Sequence, residues 1–129
     1  MKVLIVEDDQ AIAQMYQMKC EFSGITAKMA GNGKEALDQL QTYEPEAILL
    51  DIMMPIMDGV EFMYKFRANE KYKNIPVLIL TNLGAEEVPE SMWGTGIAGY
   101  IIKANTTPSE VINKIKEIVE NSAPATQDA

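Results

Sequence analysis

The sequence predicts one α/β domain in which five strands alternate with five helices. Two observations carry this prediction: short apolar runs typical of buried strands recur along the chain, and a segment with helical apolar spacing follows each run. Strands separated by helices form a parallel sheet with helices on both faces, because every crossover returns to the same end of the sheet. The chain has 129 residues, 47% of them hydrophobic and 23% charged, which suits one such core.

The first half of the chain supplies two strands and two helices. Residues 3–6 form a continuous apolar run typical of a central strand. The first helix is predicted from Asp9 as its N-cap, from Gly24 as its end and from the helical spacing of Ile12, Met15, Tyr16, Lys19 and Phe22. Residues 25–30 are less apolar and predict an edge strand. Asn32 and Glu35 have capping-box spacing for helix 2, whose inward residues are Ala36, Leu37 and Leu40.

The second half begins with the apolar run 47–50, a third strand that ends at Asp51. The next predicted elements are helix 3 over 58–67, strand 4 over 75–81, helix 4 over 85–93 and strand 5 over 98–103. Helix 3 buries Val60, Phe62, Met63 and Phe66. Helix 4 is the least regular of these elements, because Pro89 interrupts it.

Helix 5 has the clearest start in the sequence. Thr107 fits the N-cap, Pro108 fits the first helical position and Glu110 completes a capping box. Its apolar stripe comprises Val111, Ile112, Ile115, Ile118 and Val119. The domain is therefore predicted to span residues 1–120, and residues 121–129, which lack periodicity, are predicted to form a disordered tail.

Strand order is predicted from the number of strands and the chain length. Five strands in 129 residues favour a flavodoxin-like three-layer sandwich with order 2-1-3-4-5 over a Rossmann-like order. In that order, strands 1 and 3 are neighbours and flank the point where the direction of winding changes. Ligands of open α/β sheets bind at the carboxyl ends of the strands at this point.

Composition excludes several classes of function. The net charge of −8 disfavours binding to nucleic acid, because phosphate backbones attract basic surfaces. A single cysteine, Cys20, excludes an internal disulfide and a multi-cysteine zinc site, and it is predicted to be a buried small hydrophobe. No apolar stretch approaches the roughly 18 residues of a membrane span, and the N-terminus lacks signal-peptide features. The protein is expected to be soluble and cytoplasmic.

Polar side chains end four of the five predicted strands. Glu7 and Asp8 follow strand 1, Asp51 follows strand 3, Thr81 ends strand 4 and Lys103 ends strand 5. Two carboxylates about 5 Å apart repel by about 3 kcal/mol at an effective dielectric near 20, so this cluster calls for a divalent cation, for Lys103, or for both. The chain has no histidine. Aspartate is a known nucleophile for aspartyl-phosphate formation, and the set favours phosphoryl transfer.

These residues and their surroundings resemble the receiver domains of two-component response regulators, in a stand-alone form like that of the chemotaxis regulator. The resemblance covers residues 2–120. It is carried by the acids of segment 4–9, by segment 49–59 around Asp51, and by Thr81, Tyr100 and Lys103. It implies that Asp51 is the phosphoacceptor for a sensor histidine kinase or a phosphotransfer protein, and that the protein is not an enzyme beyond catalysing its own phosphorylation and dephosphorylation.

The resemblance also implies a cofactor and a switch. Asp8, Asp51 and the backbone carbonyl of Met53 would hold Mg²⁺, with Glu7 reaching the ion through water. Thr81 would follow the phosphoryl group, and Tyr100 would swing inward as the switch aromatic. The face formed by helix 4, strand 5 and helix 5 would then signal to a downstream protein, because no output domain is expected after helix 5.

Two positions depart from the family pattern. The family usually has a proline with a cis peptide bond after its lysine, whereas Ala104 follows Lys103 here. A cis non-proline bond costs about 2.5–4 kcal/mol, and the sequence leaves the isomer open. The family also favours a small residue after its threonine, whereas Asn82 stands here. An amide at the mouth of the site predicts an altered rate of dephosphorylation.

Three alternative functions remain open at this point. A degenerate receiver would bind partners without phosphorylation, although the acid–threonine–lysine set is complete. A flavin-binding carrier would need phosphate-binding donors after strand 1, where the chain has three acids. A phosphatase resembling the haloacid dehalogenases would have an aspartate at Met53. The segment 94–99 matches a dinucleotide-binding fingerprint, but it precedes a strand instead of joining a strand to a helix, so it is discounted.

Overall fold

The computed structural model describes residues 1–82 and 88–122, the last of them by its backbone alone. The strands are β1 Lys2–Val6, β2 Thr26–Ala30, β3 Ala47–Leu50, β4 Val77–Thr81 and β5 Ile97–Ile102. The α-helices are α1 Gln10–Phe22, α2 Gly33–Gln39, α3 Gly59–Ala68, α4 Glu90–Trp93 and α5 Pro108–Ser122. In these described residues, 3₁₀ turns cover Glu70–Tyr72 and Lys103–Asn105. The predicted alternation of strands and helices is confirmed.

The sheet has the predicted topology. All four strand pairs are parallel, and the order is β2-β1-β3-β4-β5. The central strands β1, β3 and β4 are buried on both faces, as their continuous apolar runs indicate. The flavodoxin-like fold is therefore confirmed, and its switch point lies between β1 and β3.

Alternation along β1 divides the interior into two cores. Leu4 and Val6 face the side covered by α2, α3 and α4, whereas Val3 and Ile5 face the side covered by α1 and α5. Successive side chains of a strand point to opposite faces, so one central strand supplies both layers. The two cores therefore pack against the sheet from both sides.

The predicted helix starts are confirmed by their side-chain caps. The Ile12 amide donates to Asp9 Oδ1 at 3.1 Å, and the Glu35 amide donates to Asn32 Oδ1 at 2.9 Å. The Glu110 amide donates to the Thr107 hydroxyl at 3.3 Å. These bonds satisfy amides that have no partner within their own helix, so the local sequence alone determines where each helix begins.

The buried face of α1 differs from the spacing that was expected. Met15 and Phe22 are 43% and 84% exposed, whereas Ala13, Tyr16 and Cys20 are buried. Positions 13, 16 and 20 also have helical spacing, so α1 buries a different face from the one that was expected. Burial raises the pKa of the Cys20 thiol to about 11, so its predicted role as a buried hydrophobe is confirmed.

Helix 4 is shorter than predicted. Residues 88 and 89 are not helical, and α4 begins only at Glu90, with Pro89 in an extended conformation (ψ 136°) at its N-cap. A proline cannot continue a helix by donating an amide, and it biases the preceding residue away from helical geometry. The predicted helical residues 85–87 lie outside the described residues. Buried Val88 and Met92 anchor the segment to the core.

At the C-terminus, α5 extends through Ser122, two residues beyond the predicted end of the domain. Its predicted inward residues Val111, Ile112, Ile115 and Ile118 are buried, and Val119 packs against them. The rest of the predicted tail, residues 123–129, lies outside the described residues.

Candidate functional site

The polar residues predicted from the strand ends lie together at one edge of the sheet. Glu7 follows β1, Asp51 follows β3, Thr81 ends β4 and Lys103 follows β5. The Asp51 amide donates to the Val6 carbonyl at 2.9 Å, which extends the β1–β3 pairing up to Asp51. Parallel strands end at the same edge, and this places residues up to 96 positions apart in direct contact.

Lys103 joins the two buried carboxylates of the site. Its Nζ donates to Glu7 Oε1 at 2.9 Å and to Asp51 Oδ2 at 3.2 Å, and the three side chains are 12%, 6% and 9% exposed. Burial by itself lowers the pKa of the Lys103 ammonium, but the two carboxylates outweigh that effect and raise it. Lys103 is therefore a permanent cation at the floor of the site.

Glu7 carries the least satisfied charge of the cluster. Burial, followed by its interaction with Asp51, raises the pKa of Glu7 to about 8, against the opposing effect of Lys103. Its Oε2 atom is buried and has no hydrogen-bond partner among the described residues. Without metal, the raised pKa of Glu7 contributes to the free energy of unfolding. This contribution is fully present below the ordinary pKa of 4.5 and is lost as the pH rises through about 8.

The carboxylates fit a hard divalent cation. One oxygen from each of Glu7, Asp8 and Asp51 lies within 4.8 Å of the others, and Asp8 is exposed while the other two are buried. An all-oxygen donor set with an open side is what Mg²⁺ accepts, since this ion keeps several waters and takes one or two carboxylates. The buried, unpartnered Oε2 of Glu7 supports the same conclusion, because a cation would supply its missing partner.

Asp51 is held in a defined orientation at the bottom of an open cleft. Its Oδ1 accepts from the Ile52 amide at 2.8 Å, while its Oδ2 accepts from Lys103. The cleft has a volume of about 300 Å³ and is lined by the acids, Thr81, Asn82, Met53 and Lys103. A small anion such as a phosphoryl group has space to approach the carboxylate from solvent.

Gly59 is a part of the site that was not among the predicted site residues. It is the first residue of α3, and its amide donates to the Ile52 carbonyl at 2.8 Å. A Cβ at this position would lie 2.6 Å from the Asp51 carbonyl oxygen. The absence of a side chain at Gly59 therefore lets α3 pack directly against the backbone that carries Asp51.

Thr81 and Asn82 differ in their exposure at the cleft. Thr81 is 1% exposed, while Asn82 is exposed at the mouth. Met53 is 65% exposed and lies two residues after Asp51 in the sequence. The structure thus brings the predicted Thr81 and Met53 to the cleft, and it also places Asn82 where it can affect what enters.

Tyr100 is the one predicted site residue that lies apart from the cleft. It is half-buried on β5, and its ring packs against Trp93 with centroids 5.5 Å apart and a tilt of 55°. Trp93 ends α4 and is 44% exposed. The pair joins α4 to β5 at the surface of the predicted signalling face.

The peptide bond between Lys103 and Ala104 is trans, because the described residues contain no cis bond. Lys103–Asn105 form a 3₁₀ turn directly after β5. This turn brings the Lys103 ammonium to Glu7 and Asp51 with a trans bond. The open question about the isomer is thereby answered.

Replacing Lys103 with methionine tests the charge balance of the site. Lys103→Met leaves two buried carboxylates without their counter-ion, and we expect a loss of about 3 kcal/mol in the free energy of unfolding at pH 9. The loss should be smaller at pH 6, because Glu7, with a pKa of about 8, is then protonated. Urea unfolding of the variant and of the wild type, in EDTA at both pH values, measures the loss in the free energy of unfolding.

Lys114→Met is the matched control for this substitution. Lys114 lies on the surface of α5, 3.5 Å from Glu117, and its loss should change the free energy of unfolding by less than about 0.5 kcal/mol. Equal effects of the two substitutions, or an effect of Lys103→Met that does not depend on pH, would contradict the role assigned to Lys103.

Sequence comparisons identify relatives along nearly the whole chain. Residues 3–116 match the family described as the response regulator receiver domain. A curated relative, the response regulator MprA of Mycobacterium avium (strain 104), is 29% identical over 126 residues, which are 96% of this chain and 53% of that protein. The chain therefore spans about half the length of the curated relatives it matches.

Solved structures show the same fold. The receiver domain of the Francisella response regulator 1452 is 32% identical, with a TM-score of 0.83 and coverage of 95% of this chain and 98% of that one. The chemotaxis response regulator CheY4 of Vibrio cholerae is 30% identical, with a TM-score of 0.82 and coverage of 91% and 97%. Within the part of the chain that is described, no helix has the length and apolar character to cross a membrane.

Proposed function

The chain belongs to the response regulator receiver domain family, and we propose that Asp51 accepts a phosphoryl group from a phosphohistidine of a sensor kinase or phosphotransfer protein. One observation carries this proposal: the Asp51 carboxylate lies at the floor of an open cleft, oriented by the Ile52 amide and Lys103. This exchange would take place in the cytoplasm, where ATP-dependent kinases act.

The proposed step is a displacement at phosphorus. A carboxylate oxygen of Asp51 forms a bond to phosphorus while the bond between phosphorus and the donor's imidazole nitrogen breaks. The bonding electron pair returns to that nitrogen, and a proton on the other ring nitrogen makes the leaving group a neutral imidazole. The product is an aspartyl phosphate, and no oxidant or further reactant is needed.

The acidic cluster supports a requirement for Mg²⁺. Glu7, Asp8, Asp51 and the Met53 backbone carbonyl are the groups proposed to hold the ion, with Glu7 acting through water. When bound, Mg²⁺ supplies positive charge that stabilises the phosphoryl oxygens. Glu7 and Asp8 keep the site anionic and so retain the ion, since their oxygens lie within 4.8 Å of that of Asp51.

Two further side chains are proposed to stabilise the phosphoryl group. The Lys103 ammonium already contacts Asp51 Oδ2, and it can neutralise a phosphoryl oxygen added at that carboxylate. Thr81 lines the same cleft, and its hydroxyl can donate to a second oxygen. The protein thus promotes its own phosphorylation and dephosphorylation but turns over no separate substrate.

The proposed output is a change of the face formed by α4, β5 and α5. Thr81 and Tyr100 lie on the neighbouring strands β4 and β5, where Thr81 pairs with Ile102 and Tyr100 with Ile79, so a shift of Thr81 toward the phosphoryl group can be followed by Tyr100. A downstream protein is the proposed reader of this face, and the net charge of −8 disfavours direct contact with nucleic acid.

The alternative functions receive less support. A flavin carrier needs phosphate-binding donors after β1, where Glu7, Asp8 and Asp9 lie, and the match to the receiver family decides against it. A receiver that works without phosphorylation would not need Lys103 and two further acids around Asp51. The intact set favours the phosphorylated form.

Phosphoryl uptake by the wild type tests the proposed function. The protein is incubated with a small-molecule phosphodonor such as acetyl phosphate, with Mg²⁺ or with EDTA, and its intact mass is measured. We expect a gain of one phosphoryl group, located by peptide mapping in the segment that contains Asp51, and none in EDTA. No gain with Mg²⁺, or a label in another segment, would overturn the proposal.

A further inference from the structure

The edge of the sheet at β2 carries a second feature that is independent of phosphorylation. Within residues 1–82 and 88–122, β2 pairs only with β1, so in this part of the chain the other side of the five-residue strand is a free edge. Free edges present unpaired amides and carbonyls that can pair with a strand of another molecule. β2 contains no proline, which is one common means of preventing such pairing.

The pairing register identifies which backbone groups of β2 face outward. The Thr26 amide donates to Met1, and the Ala30 carbonyl accepts from Glu7, so these two residues point toward β1. In a strand, the direction alternates from one residue to the next. The amides and carbonyls of Ala27 and Met29 therefore point away from the sheet.

Each of these two outward carbonyls accepts a hydrogen bond from a glutamine side chain. Gln17 Nε2 donates to the Ala27 carbonyl at 3.0 Å, and Gln39 Nε2 donates to the Met29 carbonyl at 2.7 Å. Gln17 belongs to α1 and Gln39 ends α2, and these helices cover opposite faces of the sheet. Two helices from different layers thus reach the same edge with the same chemical group.

When Gln39 donates this bond through Nε2, its other side-chain polar atom, Oε1, is left without a partner among the described residues. This Oε1 atom is buried. A buried, unsatisfied acceptor is unfavourable, and an apolar residue here would avoid it. The bond from Gln39 Nε2 to the Met29 carbonyl therefore explains why a glutamine stands at this position.

We propose that Gln17 and Gln39 protect the edge of β2 from strand addition, and that a second copy of this chain is the partner they exclude. Every copy presents an identical edge, and two such edges can pair across a two-fold axis. An incoming strand must displace both side-chain amides to reach the carbonyls. The opposite edge strand, β5, has a register irregularity against β4 instead.

Sedimentation velocity over a range of concentrations tests this proposal. The double variant Gln17→Ala/Gln39→Ala should self-associate at least about tenfold more tightly than the wild type, because two hydrogen bonds no longer compete with the incoming strand. Amide hydrogen exchange at Ala27 and Met29 should slow as the associated species forms. The double variant Gln14→Ala/Gln41→Ala, which changes two exposed glutamines nearby, should behave as the wild type does.

A third substitution separates edge pairing from other kinds of association. The Met29 amide points outward, so adding Met29→Pro to the double variant blocks pairing without removing a bond to β1, and it should restore wild-type sedimentation. If the double variant does not fold, each single variant should show a weaker shift in the same direction. Wild-type sedimentation of the glutamine variants, or association that Met29→Pro does not reverse, would overturn the proposal.

Discussion

Asp51→Asn should take up no phosphoryl group from a small-molecule donor, while its fold becomes more stable in metal-free buffer. Asparagine retains an oxygen that accepts from the Ile52 amide, so the loop after β3 keeps its anchor. The amide is not a nucleophile, so the phosphoryl-accepting step is lost altogether. Intact mass after incubation with Mg²⁺ measures the uptake.

The gain in stability follows from the charge balance of the site. The three acids have oxygens within 4.8 Å of one another, and the single ammonium of Lys103 does not offset all three. Two unit charges about 5 Å apart repel by about 3 kcal/mol at an effective dielectric near 20. We expect Asp51→Asn to raise the free energy of unfolding by about 1–2 kcal/mol at pH 8 in EDTA. Urea unfolding measures this change.

Asp38→Asn provides the control for both measurements. Asp38 is an exposed acid on α2, so its removal should leave uptake unchanged and alter the free energy of unfolding by less than about 0.5 kcal/mol. Labelling of the Asp51→Asn protein would refute Asp51 as the acceptor. A fall in its metal-free stability would refute the charge argument separately.

Gly59→Ala should destabilise the protein by about 2–3 kcal/mol and slow phosphoryl uptake. Its Cβ would lie 2.6 Å from the Asp51 carbonyl oxygen and 2.8 Å from Ile52 Cα, and backbone atoms cannot rotate away. The start of α3 must therefore move away from the strand end, and the amide bond from Gly59 to Ile52 is strained or lost. Urea unfolding and the rate of uptake measure the two effects.

Gly94→Ala is the control for the loss of a glycine as such. Gly94 has a φ of −85°, and its nearest neighbour to a Cβ is the Ser91 carbonyl oxygen at 3.9 Å. Its free energy of unfolding should stay within about 0.5 kcal/mol of the wild type. Similar small effects of the two substitutions would show that the start of α3 can shift without cost. The close contact between Gly59 and the Asp51 backbone would then not be what positions Asp51.

The regular part of the fold was predictable because its signals are local. The apolar runs of β1, β3 and β4 need no partner to be recognised as buried strands, and the capping residues of α1, α2 and α5 act within one turn of helix. The predicted start of helix 4 at residue 85 was wrong, because the non-helical Pro89 directly precedes the first residue of α4, Glu90.

The exposed face of α1 shows where local pattern is insufficient. Met15 and Tyr16 are both consistent with an apolar stripe, yet only Tyr16 is buried. Helical spacing of apolar residues is compatible with more than one buried face of the helix. Packing against the sheet decides which of these faces is buried. Ile56 is a similar case, since its φ of 68° is rare for a β-branched residue and its sequence gives no sign of it.

The sequence by itself determined which chemical groups stand at the strand ends: two acids, Asp51, a threonine and a lysine, in an order that a parallel sheet must bring to one edge. Only the tertiary structure decided how they are joined. Lys103 reaches both Glu7 and Asp51 through a trans peptide bond, and burial raises the pKa of Glu7 to about 8. Contact distances and desolvation depend on atoms from distant parts of the chain, and so does the close approach of Gly59 to Asp51.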